Sequence, residues 1–159
     1  KIDGLLDQAK EAYEEGDDGL AIEIYEKTLK QDPENVLAWL NMGNVFKGMK
    51  RFGAAEIAYK RTLEINPFYL YGNIALAQLY LVSQVPEKAL DVLRSVRKWH
   101  PGDSEISLHM GLAFAFQKNV DLAIKEFQNA IRIDQSLVCR TIILEFSILV
   151  LVQIVQKKI

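Results

Sequence analysis

Residues 36–69 read VLAWLNMGNVFKGMKRFGAAEIAYKRTLEINPFY, and this stretch decides the fold. Trp39, Met42 and Phe46 are bulky and Gly43 is minimal; after a polar, glycine-containing break come Ala55 and Tyr59, and Asn66-Pro67 closes the run. Apolar residues recur at three- and four-residue steps in both halves, which is the spacing of amphipathic helices. Two helices joined by a short turn follow. Gly43 and Ala55 are then the holes, and Met42, Phe46 and Tyr59 the knobs, of a close helix–helix contact.

Outward from this stretch the same pattern returns every 34 residues. Prolines stand at Pro33, Pro67 and Pro101, alanines at Ala21, Ala55, Ala89 and Ala123, and small residues at Ala9, Gly43, Ala77 and Gly111. Bulky residues keep step at Tyr25, Tyr59, Leu93 and Phe127 and again at Phe46, Tyr80 and Phe114, with Ala12 in the corresponding first place. Several independent positions of one period, small in some and large in others, are the signature of a stacked repeat. Punctuation by Asp32-Pro33, Asn66-Pro67 and Pro101-Gly102, and within units by Gly16-Asp17, Val85-Pro86 and Asn119, predicts helices at 3–15, 18–31, 35–48, 52–65, 69–82, 86–99, 103–117 and 120–133. No stretch from 1 to 134 alternates as a sheet strand does.

Trp39, Met42, Gly43, Phe46, Ala55, Tyr59 and Pro67 resemble the tetratricopeptide repeat pattern, and the resemblance extends over about residues 2–135. It implies an all-α, right-handed α-solenoid of helix-turn-helix repeats, at 2–35, 36–69, 70–103 and 104–137, with an apolar C-terminal helix over 136–159. Departures from the pattern are Gln8 and Ala12 in the first repeat, Asn73 in place of Trp in the third, and Gln135 in place of Pro at the end of the fourth.

The resemblance further implies that the first helix of each repeat lines a groove for a guest polypeptide. Carried onto this chain, the groove positions are Asp3, Leu6, Asp7, Lys10 and Tyr13, then Leu37, Leu40, Asn41, Asn44 and Lys47. Tyr71, Ile74, Ala75 and Gln78 follow in the third repeat, and Glu105, Leu108, His109 and Leu112 in the fourth. Asn41, Asn44 and Gln78 both donate and accept hydrogen bonds, and Leu37, Leu40, Tyr71 and Ile74 offer apolar area. Some family members grip a terminal carboxylate with Lys, Asn and Arg from successive repeats; only Asn41 matches that set, so a doubly acidic tail is not the expected ligand.

Composition narrows the function class. The chain has 159 residues, 50% hydrophobic and 25% charged, which fits one globular unit and excludes disorder over most of its length. Nineteen basic against twenty-one acidic residues provide no excess positive charge for a polyanion, so nucleic acid is not an expected partner. A lone Cys139 excludes an internal disulfide and weakly favours the cytoplasm. Lys1–Gly16 has no apolar signal segment, and the missing initiating Met suggests a piece of a longer protein.

Chemical motifs are weak. Gly43–Gly48 imitates half of a phosphate loop, but Met49 replaces the lysine and no strand precedes it. His100 and His109 stand apart with no metal-ligand spacing, and His109 reads as a groove or surface contact. Glu56 with Lys60, Glu126 with Lys125, and the run Arg94, Arg97 and Lys98 read as solvated faces. No catalytic residue, metal or cofactor is expected.

Ser136–Ile159 is apolar on all sides, with only Arg140 and Glu145 charged between Leu137 and Val155. Such a helix must bury more than one stripe, and Ile143, Phe146, Leu149 and Val150 are its candidate association residues. Membrane insertion is disfavoured by the two internal charges. The expected function is a non-catalytic adaptor or scaffold that binds a peptide or helix in the groove. The alternatives are a homo-oligomeric scaffold assembled through the C-terminal segment, and the recognition arm of a larger enzyme.

Overall fold

The computed structural model describes residues 2–137, apart from the side chain of Asp3. The segment 138–159, including Ile143, Phe146, Leu149 and Val150, lies outside the described residues. Among the described residues there are eight α-helices and no strand: α1 (Ile2–Glu14), α2 (Asp18–Gln31), α3 (Val36–Gly48), α4 (Phe52–Ile65), α5 (Leu70–Val82), α6 (Pro86–Arg97), α7 (Ser104–Phe116) and α8 (Val120–Ile133), then a 3-10 turn at Gln135–Leu137. Expected and observed boundaries differ by at most two residues. No described helix is long and apolar enough to cross a membrane.

The chain divides into two compact units, Lys1–Leu79 and Tyr80–Ile159, and the division falls inside α5. Stacked hairpins touch mainly their neighbours, so no single core gathers the whole chain. In the first unit α1 packs on α2, α2 on α3 and α3 on α4; in the second, α6 packs on α7 and α7 on α8.

Local chemistry starts and stops these helices. Side-chain oxygens of Asp17, Asn35, Asp103 and Asn119 accept from the backbone N–H three residues on, at 2.9, 2.9, 3.1 and 3.3 Å, and so cap α2, α3, α7 and α8. Between the two helices of every hairpin the chain passes through one left-handed residue: Gly16, Lys50, Gln84 and Lys118, with φ of 85°, 59°, 60° and 60°. These positions share the 34-residue period. The next N–H then reaches back to the last turn of the first helix, Asp17 to Ala12, Arg51 to Phe46 and Val85 to Tyr80 at 2.8 Å, and Asn119 to Phe114 at 2.9 Å. This closes an otherwise orphaned carbonyl, and only the first hairpin uses glycine to do it.

The holes and knobs are real. Ala21, Ala55, Ala89 and Ala123 are all fully buried. A Cβ on Gly43 would lie 2.6 Å from Tyr59 Cε1, and one on Gly111 would collide with the ring of Phe127 in the same way. Close packing therefore forbids a side chain at both glycines.

Candidate partner-binding face

In the first unit α1, α3 and α5 present related faces, and contacts across helices join them. Tyr13, at the end of α1, sets its hydroxyl against Gly48 at the end of α3, 3.1 Å from where a Cβ would stand. Lys47 Nζ donates to Gln78 Oε1 at 3.3 Å and so ties α3 to α5. Lys47 is half-buried, and loss of hydration holds its ammonium below the usual lysine pKa.

The amides of this face already have work. The Tyr59 hydroxyl donates to Asn44 Oδ1 at 2.7 Å, and Asn41 hydrogen-bonds the hydroxyl of Tyr25. Burial raises the pKa of both tyrosines, in Tyr59 well above the usual phenol range; at Tyr25 the Asn41 bond opposes the rise. Asn41 and Asn44 thus anchor the knob tyrosines of α2 and α4 to the first-helix face, a link between core and surface that a sequence spacing does not reveal. Around them stand Leu37 and Tyr71, exposed by 47% and 65%. Tyr71 also meets Tyr69 edge-on at 5.9 Å, and burial followed by the nearby Tyr71 hydroxyl lifts the Tyr69 pKa.

Other expected groove residues do not offer area to a guest. Leu40 and Ile74 are 8% and 9% exposed and belong to the packing of the first unit. In the second unit Leu108 is fully buried and His109 nearly so, while Leu112 is half-buried. The buried residues of α7 include Ile106, Leu108, His109, Met110, Ala113 and Phe114, which surround the helix and leave little of a solvent face. His109 is therefore not a surface contact: its Nδ1–H donates to the Glu105 carbonyl at 2.7 Å. Among the described residues no group of three His, Cys, Asp or Glu gathers to hold a metal.

The position that Trp39 occupies recurs at Asn73 and Ser107 and is filled in three ways. Trp39 Nε1 donates to the Pro33 carbonyl at 2.9 Å; Asn73 Nδ2 makes the same bond to Pro67 at 3.0 Å. At Ser107 the hydroxyl oxygen accepts from Arg97 at 3.0 Å and from Asn129 at 2.8 Å. Arg97 also forks onto both oxygens of Glu126, with Nη1 to Oε1 at 2.9 Å. This corrects the reading of Arg97 and Glu126 as solvated faces: the pair is 31% and 15% exposed and joins α6 to α8. The Glu56–Lys60 pair, at 2.8 Å, does lie along the surface of α4.

Residues 6–69 and 74–137 match the tetratricopeptide repeat family. The chain belongs to that family. Tetratricopeptide repeats are generally non-catalytic modules that bind protein partners. The chain is 26% identical over 117 residues to the BBSome complex member BBS4 of Xenopus tropicalis, a match that covers 74% of this chain and 23% of that protein. It spans less than a quarter of the length of the curated relatives it matches. The solved tetratricopeptide protein of Parabacteroides merdae superimposes with a TM-score of 0.79 at 20% identity, over 93% of this chain and 58% of that one. PilW, a type IV pilus biogenesis factor, gives a TM-score of 0.78 at 20% identity, over 91% of this chain and 70% of that one. These likenesses establish the α-solenoid class of the tetratricopeptide repeats.

Proposed function

We propose that the chain is a non-catalytic adaptor whose first unit holds a protein segment on the face formed by Leu37, Asn41, Asn44, Lys47, Tyr71 and Gln78. The carrying observation is the pairing of exposed Leu37 and Tyr71 with the half-buried Lys47–Gln78 bond that joins their helices. Apolar area beside fixed donors suits a polypeptide with alternating apolar side chains and open carbonyls. That a relative is named as a member of a multiprotein complex supports the same reading. Leu40 and Ile74 serve the packing of the first unit, and Leu108 and His109 that of the second.

The test starts from peptides selected from a random display library on the wild-type chain. Leu37→Asp with Tyr71→Asp is expected to weaken the selected peptides at least tenfold and leave the melting temperature within a degree or two. Unchanged affinity of the double variant would overturn the assignment. Self-association through 136–159 rests on the apolar sequence there, and the mass of the chain with and without that segment, by light scattering, decides it.

A further inference from the structure

On the outer side of the first hairpin, away from the residues above, α1 and α2 enclose an open cleft of about 520 Å³. Its lining alternates along both helices: Leu5, Gln8 and Ala12 from one, Leu20 and Ile24 from the other. Ala12 is the floor, and Leu20 is 44% exposed on the wall.

The repeat explains why the space is there. Ala12 occupies the position filled by Phe46, Tyr80 and Phe114 in the later repeats, so the first hairpin lacks an aromatic ring that its successors supply. Two of those rings carry a cation: Arg51 lies 5.1 Å from the centre of Phe46, and Lys88 lies 5.4 Å from that of Tyr80. The first hairpin has neither partner. Its cleft is bordered by Glu11, Glu15 and Glu23 against a single Lys27. A cavity of about 150 Å³ lined by apolar side chains is enough for benzene, so the cleft admits a ring with room for its flanking chain.

We propose that this cleft binds a partner segment that presents an aromatic side chain beside lysine or arginine. The ring fills the place left by Ala12, against Leu5, Leu20 and Ile24, and the cations meet the three carboxylates. The partner thereby reproduces, in trans, the ring-and-cation pairs that the chain makes for itself at Phe46–Arg51 and Tyr80–Lys88. Electrostatic attraction of this kind is steering and salt-sensitive.

The probe is a fluorescein-labelled lysine-rich peptide with one central phenylalanine, titrated with the full chain by polarisation at low and moderate salt. Expected are saturable binding, at least a tenfold loss when the phenylalanine is replaced by alanine, and a similar loss for the chain carrying Glu15→Lys and Glu23→Lys, both at exposed positions. Ala12→Phe closes the cleft from within and is expected to block the peptide. Because this variant could disturb the hairpin, the charge reversals and the alanine peptide stand as independent arms. Leu37→Asp with Tyr71→Asp should leave this peptide's affinity unchanged, which separates the cleft from the face proposed above. No binding, equal binding of the alanine peptide, or binding lost with Leu37 and Tyr71 instead of the glutamates overturns the proposal. Concentration-dependent self-association abolished by Ala12→Phe overturns it as well, in favour of a second copy of the chain.

Discussion

Trp39 in the first unit and Ser107 in the second hold equivalent positions, yet one is an indole and the other a hydroxyl. Beside Ser107 stand Arg97 and Glu126, and two periods earlier those places are taken by the apolar Leu29 and Ala58, with Leu29 and Trp39 both packed on the core of the first unit. The first corner is filled by a ring tethered to the Pro33 carbonyl, the second by a forked ion pair that also donates to the serine. One volume is thus occupied by apolar surface or by a compensated pair of charges. The repeat specifies the space to be filled and leaves the chemistry to each hairpin.

The largest effect is expected from Trp39→Ser, which installs the second corner's residue without its ion pair. Truncating a half-buried indole packed on the core of the first unit should cost about 3 kcal/mol, toward the lower end of large-to-small core substitutions, and urea melts should show it. Equal stability would mean that the Trp39 corner is not a packing site. Next comes Glu126→Ala, which leaves Arg97 without its carboxylate. Partial exposure of Arg97 screens the damage, so a loss of about 1–2 kcal/mol is expected, smaller than for a fully buried pair. The triple change Arg97→Leu, Glu126→Ala, Ser107→Trp rebuilds the first corner in the second unit and should return stability to within about 1 kcal/mol of the parent. If the triple variant is no better than Glu126→Ala alone, the two corners are not interchangeable.

A smaller and opposite effect is expected at the turns, where the two units are alike. Lys50→Gly and Lys118→Gly relieve a left-handed backbone at a β-carbon-bearing residue and should each raise the melting temperature slightly, by up to about 1 kcal/mol of stability. Equal gains in both units would mark the turn as local and independent of what fills the corner. The smallest effect is pH-dependent and comes from the knob tyrosines of the first unit. Buried Tyr25 and Tyr59 stand where the second unit has Leu93 and Phe127. Their folded pKa values are raised above the ordinary 10.0, so both states stay protonated below that pH and stability is flat. Above it the unfolded chain ionises first, and stability falls as pH rises toward the folded values. Trp39 fluorescence in a Trp99→Phe background should report this alkaline loss, and Tyr59→Phe should reduce it.

The period, the helices and the buried alanines were legible because they depend on residues three, four or thirty-four apart. Gly43 against Tyr59 was legible for the same reason. The corner at Ser107 was not, since Arg97 and Glu126 are 29 residues apart and each lies among charged neighbours typical of a wet surface. The left-handed turn was hidden by its occupants: Gly16 advertises it, while Lys50, Gln84 and Lys118 do not. On the candidate face, spacing assigned Leu37, Asn41, Asn44 and Lys47 to α3 and Tyr71 and Gln78 to α5, the helices that carry them. It could not distinguish which stripe a neighbouring helix covers, and so it included Leu40, Ile74, Leu108 and His109.

The recurring left-handed turn makes the chain divisible in whole steps. Joining Gly16 directly to Arg51 removes one period, keeps a left-handed residue at the junction, and brings the Arg51 amide to the Ala12 carbonyl that Asp17 now uses. Every backbone partner at the seam is then restored, so recombination at this point removes α2 and α3 together, pairs α1 with α4 and leaves no broken helix end behind.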